Sequence, residues 1–236
     1  MVEEFNVQYL DDDIIVAEKP NGLLSIPDGY NPSLPNLLTM LTEEYGRIIP
    51  VHRLDKDTSG VVIFARNAMA HRYLNMQFQK RQILKIYLAW VEGVPDWNEL
   101  TIDICLRVNA DRKHRTLPDI NSGKCAQTII NVIESNQLSS LVIARPKNGY
   151  THQIRSHLAA VQHPILFDAL YNPAYKPVPG IKQNTPDRRL MLHAYRLQFV
   201  HPATHAPAVF FSAIPRDFII PKISQDQIDN FLAQFE

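Results

Sequence analysis

The pattern of hydrophobic and polar positions predicts many short strands and few helices. Apolar stretches at 5–10 and 14–18 flank an acidic turn and predict a hairpin. In the stretch 83–91, apolar and polar residues alternate, which places Lys85 and Tyr87 on one face of a strand. Further strands are predicted at 61–64, 99–106, 126–133, 190–199 and 208–213, and 141–144 is another short apolar run.

Helical spacing of apolar residues predicts four helices. They cover approximately 34–45, 67–81, 151–161 and 228–235. Asn67 and Thr151 are the predicted N-caps of the second and third helices. Short strands with interspersed helices are typical of an α+β fold, so we predict one domain over residues 1–236, with a largely antiparallel mixed sheet flanked by helices and loops.

The segment 163–189 carries five prolines and shows no clean periodicity. Long loops in a compact domain are commonly functional, so we expect this segment to border a cleft.

Composition narrows the class of protein. The chain has 236 residues, of which 45% are hydrophobic, and no apolar run is long enough to span a bilayer. The N-terminal residues are acidic and include no apolar leader segment, so we expect a cytoplasmic protein. Cys105 and Cys125 are the two cysteines, too few for a disulfide framework or a cysteine-based zinc site. We therefore expect no metal.

Charge is unevenly distributed although the formal net charge is zero. Residues 1–46 hold nine of the 24 acidic side chains and one of the 24 basic ones, so the remaining residues keep 15 acidic and 23 basic, a net +8. A polyanionic partner could be steered to that part of the surface. One loop concentrates the positive charge, in Arg107, Arg112, Lys113 and Arg115. The loop suits phosphate contacts, but a solvated hairpin tip fits equally well.

The stretch 51–64 is the strongest candidate for a site. A charged, hydroxyl-rich turn with His52, Arg53, Asp55 and Thr58 runs directly into an apolar strand. A rigid strand can fix such side chains in place at its N-terminal end, as in many functional loops. A capped turn with an ion pair between Arg53 and Asp55 is the simpler alternative.

The run 52–60 resembles the signature of the RluA family of RNA pseudouridine synthases. Four further segments resemble motifs of that family in the same order, at 19–23, 85–89, 151–155 (with Asp168 beyond it) and 192–194. The resemblance covers about residues 10–215 and includes no separate N-terminal RNA-binding domain. Two positions depart from the family pattern: Tyr150 stands where arginine is usual, and Phe167 where glycine is usual.

The resemblance implies a reaction and a catalytic set. Pseudouridine formation breaks the N1 glycosidic bond and joins C5 of uracil to the sugar, so it needs no cofactor. Asp55 resembles the family's catalytic aspartate, either as nucleophile or as base. Arg155 is implied as its ion-pair partner, because a nearby positive charge lowers the pKa of a carboxylate. Tyr87 resembles the tyrosine that stacks on uracil and helps to remove the C5 proton.

The same resemblance implies an RNA partner, either rRNA or tRNA. A uridine must be flipped out of folded RNA, which costs least in a single-stranded loop. Arg53 is the candidate for filling the vacated space or holding a phosphate. The other candidate substrate contacts are His52, Thr58, Lys85, His152, Gln153, Leu192 and the basic loop. No obligate protein partner is implied, and we expect a monomer.

Other classes of function stay open on the residues alone. Asp55 and Asp57 could form the carboxylate pair of a glycosidase, since alternate residues of an extended chain point the same way. A kinase-like His-Arg-Asp loop is disfavoured by the lack of a glycine-rich phosphate loop before it. An RNA-binding protein or folding helper without catalysis is the alternative outside enzymes.

Overall fold

The computed structural model describes residues 5–172, 189–218 and 225–233. The strands in these residues are β1 (Asn6–Leu10), β2 (Ile14–Lys19), β3 (Ile49–Pro50), β4 (Ser59–Ala65), β5 (Leu84–Glu92), β6 (Glu99–Asp103), β7 (Leu106–Arg107), β8 (Leu117–Pro118), β9 (Gln127–Ser135), β10 (Ser139–Pro146), β11 (Leu192–Val200) and β12 (Pro207–Phe211). The α-helices are α1 (Leu37–Tyr45), α2 (Ala68–Gln79), α3 (Gln153–Ala160) and α4 (Gln225–Leu232), with a 3₁₀ helix at Arg216–Phe218.

The chain divides into two compact units. The first comprises Met1–Tyr87 and Leu192–Ser212, and the second comprises Leu88–Met191 and Ala213–Glu236. β5 therefore begins in the first unit and ends in the second. The prediction of one domain over the whole chain stays a prediction.

The first unit contains a mixed sheet in the order β1-β2-β4-β11. β3 also pairs with β4, and β12 pairs with β11. The β4–β11 pair is parallel, whereas β1–β2, β2–β4, β3–β4 and β11–β12 are antiparallel. This arrangement confirms the predicted α+β fold with a largely antiparallel mixed sheet.

Every residue of β4 is buried, because apolar layers cover both faces of this strand. On one face Val61 and Ile63 pack with Leu74 of α2. On the other, Val62 and Phe64 pack in the same cluster as residues of α1. Burial on both faces explains why the sequence of this strand is continuously apolar and does not alternate.

A glycine permits the contact between β4 and β11. Gly60 pairs with Ala194 and has a φ of 119°, a conformation that residues with a side chain rarely adopt. A Cβ atom at this position would lie 2.2 Å from the carbonyl oxygen of Ala194. The parallel pairing at the start of β4 therefore requires glycine.

The second unit contains an antiparallel β10–β9–β6 arrangement and a small β7–β8 pair. The predicted cap of α2 is confirmed, because Asn67 accepts a hydrogen bond from the Ala70 amide. The predicted cap of α3 is wrong: the N-cap is His152, in a left-handed conformation with φ 55°, and its side chain makes no capping bond. The side chain of Gln153 instead accepts from the Tyr150 amide, which ties the preceding turn to the helix.

Two sequence predictions extend beyond the described residues. Residues 173–188 of the long proline-containing segment lie outside them, as does Phe235 after α4. Within the described part of the chain, no helix is long and apolar enough to cross a membrane.

Candidate active site

The turn that carries Asp55 is braced by backbone and side-chain hydrogen bonds within the first unit. The Ser25 hydroxyl donates to the Leu54 carbonyl over 2.8 Å and accepts from the Leu54 amide over 3.0 Å. The Thr58 amide donates to the Asp55 carbonyl over 3.1 Å. Asp55 itself is partly exposed, while Leu54 and Thr58 beside it are buried. The carboxylate therefore lies on a fixed turn whose neighbours are anchored in the core.

Lys19 is a structural support of this turn that the sequence did not identify. Its side chain is 1% exposed, and Nζ donates to the carbonyls of Pro20, Leu23 and Lys56 over 2.7–2.9 Å. Because a buried ammonium requires such partners, these bonds join the 19–23 motif to the turn containing Asp55. The Gly22 amide also donates to the Lys56 carbonyl over 2.9 Å. The 19–23 motif is thus bonded directly to the turn that carries Asp55.

Burial and the charge of Asp55 both raise the pKa of Tyr87. Burial is the main cause of a raised Tyr87 pKa, and the negative charge of Asp55 raises it further. The ring packs against the apolar cluster that contains Leu54 and Leu23. Tyr87 is therefore a protonated phenol at neutral pH, held in an apolar setting within the electrostatic range of Asp55.

His52 is hydrogen-bonded to the core strand β4, near the end of that strand. Its Nε2 accepts a hydrogen bond from the Ile63 amide over 3.1 Å, and its ring lies 4.9 Å from the ring of Phe78. Burial, followed by the charge of Lys85, lowers the pKa of His52 to about 3. Burial also lowers the pKa of Lys85 to about 8. His52 is therefore neutral at physiological pH, and its Nε2 is committed to the backbone of β4.

Arg155 is fixed in the second unit by a bidentate ion pair. Its Nε and Nη2 donate to the two carboxylate oxygens of Asp168, each over 2.8 Å, and both side chains are almost fully buried. The guanidinium carbon lies 5.1 Å from the centroid of the Tyr171 ring. Asp168 also accepts from the amides of Leu170 and Tyr171. The implied pairing of Arg155 with Asp55 joins residues of the two units and stays a prediction.

Tyr171 is a further residue that sequence reasoning missed. Its hydroxyl accepts from the Thr116 amide over 2.7 Å and lies 3.1 Å from Nδ1 of His152. The signal in the sequence is its position three residues after Asp168. Tyr171 thus connects Arg155, His152 and the end of the basic loop.

The buried motif residues mostly bind other parts of the protein. The side-chain amide nitrogen of Gln153 donates to the Gln127 carbonyl over 3.0 Å and to the Thr128 hydroxyl over 3.1 Å. Ser59, at the start of β4, lies 2.7 Å from Nδ1 of His193, a buried polar pair that the sequence analysis did not single out. Leu192 is 3% exposed. Direct RNA contacts by Gln153 or Leu192 stay predictions.

Two predicted RNA-contact residues, Arg53 and Thr58, differ in their exposure to solvent. Arg53 is exposed beside the braced turn. The Thr58 hydroxyl is buried and has no hydrogen-bond partner within the described residues. A buried hydroxyl without a partner is costly, so Thr58 is a position where a bound molecule could supply the missing bond.

The four cations of the basic loop are not equivalent. Arg107 forms an ion pair with Asp119 at 3.2 Å, and Arg115 forms one with Asp111 at 2.7 Å. Arg112 and Lys113, at the tip, are exposed. The two tip cations are therefore the better candidates for phosphate contacts.

Known proteins resemble this chain over most of its length. The family model described as RNA pseudouridylate synthase matches residues 13–160. The dual-specificity RNA pseudouridine synthase RluA of Escherichia coli K12 is 36% identical over 213 residues, covering 90% of this chain and 93% of the relative. The uncharacterized RNA pseudouridine synthase YhcT of Bacillus subtilis is 33% identical, covering 91% of this chain and 70% of the relative.

A solved structure supports the same assignment. The human RNA pseudouridylate synthase domain containing 1 protein superposes with a TM-score of 0.73 at 25% identity, covering 99% of this chain and 96% of that one. Fold, motif order and sequence identity thus lead to one conclusion: this chain belongs to the RluA family of RNA pseudouridine synthases, which are isomerases.

Proposed function

We propose that this synthase isomerises particular uridines of rRNA or tRNA, with Asp55 as its catalytic carboxylate. The observation that carries the proposal is the placement of Asp55 on a turn braced by Ser25 and Lys19, within the electrostatic range of the half-buried Tyr87. Such bracing holds a reacting group in one geometry, which a chemical step requires. A carboxylate on a braced turn serves either as a nucleophile toward the sugar carbon or as a base for a sugar proton.

Tyr87 takes part as a neutral phenol. Its ring can stack on uracil while its hydroxyl donates a hydrogen bond, because the raised pKa keeps the proton on the oxygen. The phenol can accept the C5 proton only after giving its own proton away. A nearby carboxylate such as Asp55 is a suitable acceptor, so we assign removal of the C5 proton to these two residues together.

Arg155 is the ion-pair partner of Asp55 in this proposal. Asp168 accepts from two nitrogens of the guanidinium, each over 2.8 Å. Asp168 and Tyr171 hold the guanidinium plane in place before substrate binds. Arg155 is thus preorganised to stabilise a second anion, which we assign to Asp55.

RNA binding is assigned to exposed cations and to the buried Thr58 hydroxyl. Arg53 would occupy the space left by the flipped uridine or contact its phosphate, and Arg112 and Lys113 would contact other RNA phosphates. Lys85 and His152 would line the substrate side of the site. A single-stranded loop is the favoured target, because its bases flip at the lowest cost. The enzyme would act in the cytoplasm as a monomer, without cofactor or metal.

The test compares Asp55→Asn with Asp57→Asn in an assay of hydrogen release from C5-tritiated uridine in RNA. Asp57 is exposed and one residue beyond Lys56, so its amide variant is a matched control. We expect Asp55→Asn to abolish tritium release while RNA binding and thermal unfolding stay near wild type, because the amide keeps the shape and loses the charge. Asp57→Asn should keep most of the activity. Both rRNA and tRNA should be assayed, since the name of the E. coli relative states dual specificity.

Each competing function gives a different result in this assay. A glycosidase using both carboxylates would be damaged by either substitution and would release free uracil. A non-catalytic RNA-binding protein would release no tritium in any form. Sustained tritium release by Asp55→Asn would refute the assignment of Asp55.

A further inference from the structure

The two cysteines lie directly opposite each other in a short antiparallel pairing of the second unit. Leu106 and Lys124 exchange both backbone hydrogen bonds, each over 2.9 Å, and the Ile104 amide donates to the Ala126 carbonyl over 3.1 Å. Cys105 and Cys125 therefore occupy the intervening non-hydrogen-bonded pair of this ladder. In such pairs the Cα atoms are about 4.5 Å apart, within the range of about 4.4–6.8 Å that a disulfide spans.

The side chains occupy the position that the backbone register predicts. The two sulfur atoms are 3.1 Å apart, Cys105 is partly exposed and Cys125 is exposed. Both thiols are free, and the hydrogen bond to Cys125 is the main cause of a raised Cys105 pKa. The pair therefore has the proximity needed for a bond and the exposure needed for a reagent to reach it.

Hydrogen bonds and close packing hold the backbone around the two cysteines in place without a disulfide. A Cβ atom on Gly123 would lie 2.3 Å from the Asp119 carbonyl oxygen and 2.8 Å from the Leu106 nitrogen. The Asp119 amide donates to the Cys105 carbonyl over 2.8 Å, and the Gly123 amide donates to the Asp119 carbonyl over 2.9 Å. The segment before Cys125 is therefore packed tightly against Cys105, so bond formation requires little movement of the backbone.

We propose that Cys105 and Cys125 form a reversible intramolecular disulfide when the protein meets a peroxide. The bond would close a loop from residue 105 to residue 125, which contains Arg107, Arg112, Lys113 and Arg115. It would fix the base of the basic loop, where Arg107 and Asp119 already form an ion pair. The site is thus a redox-modifiable clamp on the surface that would contact RNA phosphates.

The chemistry balances with hydrogen peroxide as oxidant. The Cys125 thiolate, after loss of its proton, attacks one peroxide oxygen, so an S–O bond forms, the O–O bond breaks, and the hydroxide released takes up a proton as water. The Cys105 sulfur then attacks the sulfenic sulfur of Cys125, so the S–S bond forms and the S–O bond breaks. The leaving hydroxide takes the Cys105 proton as a second water. Two thiols and one peroxide thus yield one disulfide and two waters, and a dithiol such as dithiothreitol reverses the reaction.

The test counts thiols in the full-length chain. Reduced protein is treated with hydrogen peroxide, denatured, alkylated with N-ethylmaleimide and weighed by intact mass spectrometry. The wild type should shift from two adducts to none and return to two after dithiothreitol, while remaining a monomer on a non-reducing gel. Proteolysis without reduction should yield one cross-linked peptide pair that contains Cys105 and Cys125.

Cys105→Ser is the matched control, because it keeps the exposed Cys125 and removes its partner. At the peroxide dose that oxidises Cys125 in this variant, the wild type should hold the internal disulfide and the variant should hold sulfenic or sulfinic acid. Wild-type protein that keeps both thiols at that dose, or that forms only intermolecular dimers or sulfinic acids, would overturn the proposal. The readout involves no RNA and no isomerisation, so it is independent of the assignment of Asp55.

Discussion

The neutral state of His52 predicts a specific loss of stability in acid. In the folded protein its Nε2 accepts the Ile63 amide, and an imidazolium has no lone pair to accept that bond. Burial and the Lys85 charge lower its pKa from 6.5 to about 3, so between these values the unfolded chain binds a proton that the folded chain does not. By linkage, stability is complete above the unfolded pKa and falls as the pH drops from 6.5 toward 3.

The magnitude follows from the two pKa values. Each pH unit within this window is worth about 1.4 kcal/mol, so the loss between pH 7 and pH 5 is about 2 kcal/mol. This figure is an upper value, because His52 is partly exposed and solvent reduces the penalty of charging it. A loss of this size is a large share of the stability of an ordinary domain.

His52→Gln isolates this contribution, because the glutamine oxygen can accept the Ile63 amide and does not titrate near neutral pH. Urea unfolding of wild type and variant at a series of pH values between 7 and 5 gives the difference in stability between them. We expect that difference to shift by up to about 2 kcal/mol in favour of the variant as the pH falls. Equal pH dependence in wild type and His52→Gln would refute the reasoning.

Two further predictions concern the sheet and the basic loop. Gly60→Ala should destabilise the protein by more than about 3 kcal/mol in urea unfolding, because its φ of 119° and a 2.2 Å contact with the Ala194 oxygen cannot both be relieved. Gly29→Ala is the control and should have little effect, since nothing lies within 4 Å of the added Cβ. Similar losses of stability in both variants would contradict this account. Replacing Arg112 and Lys113 together with Ala should reduce the slope of log binding constant against log salt for RNA by about 1.4, at roughly 0.7 per lost phosphate contact on single strands, and an unchanged slope would mean that the loop tip is only solvated.

Local patterns were sufficient to predict most elements of the fold. Alternation identified the strand containing Tyr87, and helical spacing identified α1 to α3, because both signals depend on neighbours a few residues away. The N-cap of α3 was mispredicted at Thr151 because several polar residues precede this helix and the left-handed φ of His152 has no clear sequence signature. The predicted mixed sheet was confirmed, whereas the parallel contact of β4 with β11 joins segments more than 130 residues apart.

The departure at Phe167 shows how a motif and a structure explain each other. The resemblance indicated that glycine is usual there, and the structure shows a φ of 61°, the left-handed region that glycine adopts without strain. A bulky residue in that conformation costs about 1–2 kcal/mol. The sequence identifies the departure from the family pattern, and the left-handed backbone conformation explains why glycine is usual at this position.

The sequence by itself determined the family, the ordered motifs and the candidate set of Asp55, Tyr87 and Arg155, because short motifs record which residues the chemistry requires. Only the tertiary structure decided which motif side chains form hydrogen bonds or ion pairs within the protein. Lys19 donates to three carbonyls, His52 accepts from the backbone of β4, and Arg155 is paired with Asp168. It also brought together Cys105 and Cys125, 20 residues apart along the chain. Burial, pKa and pairing depend on atoms contributed by distant segments, and a one-dimensional pattern of residues contains no distances between those segments.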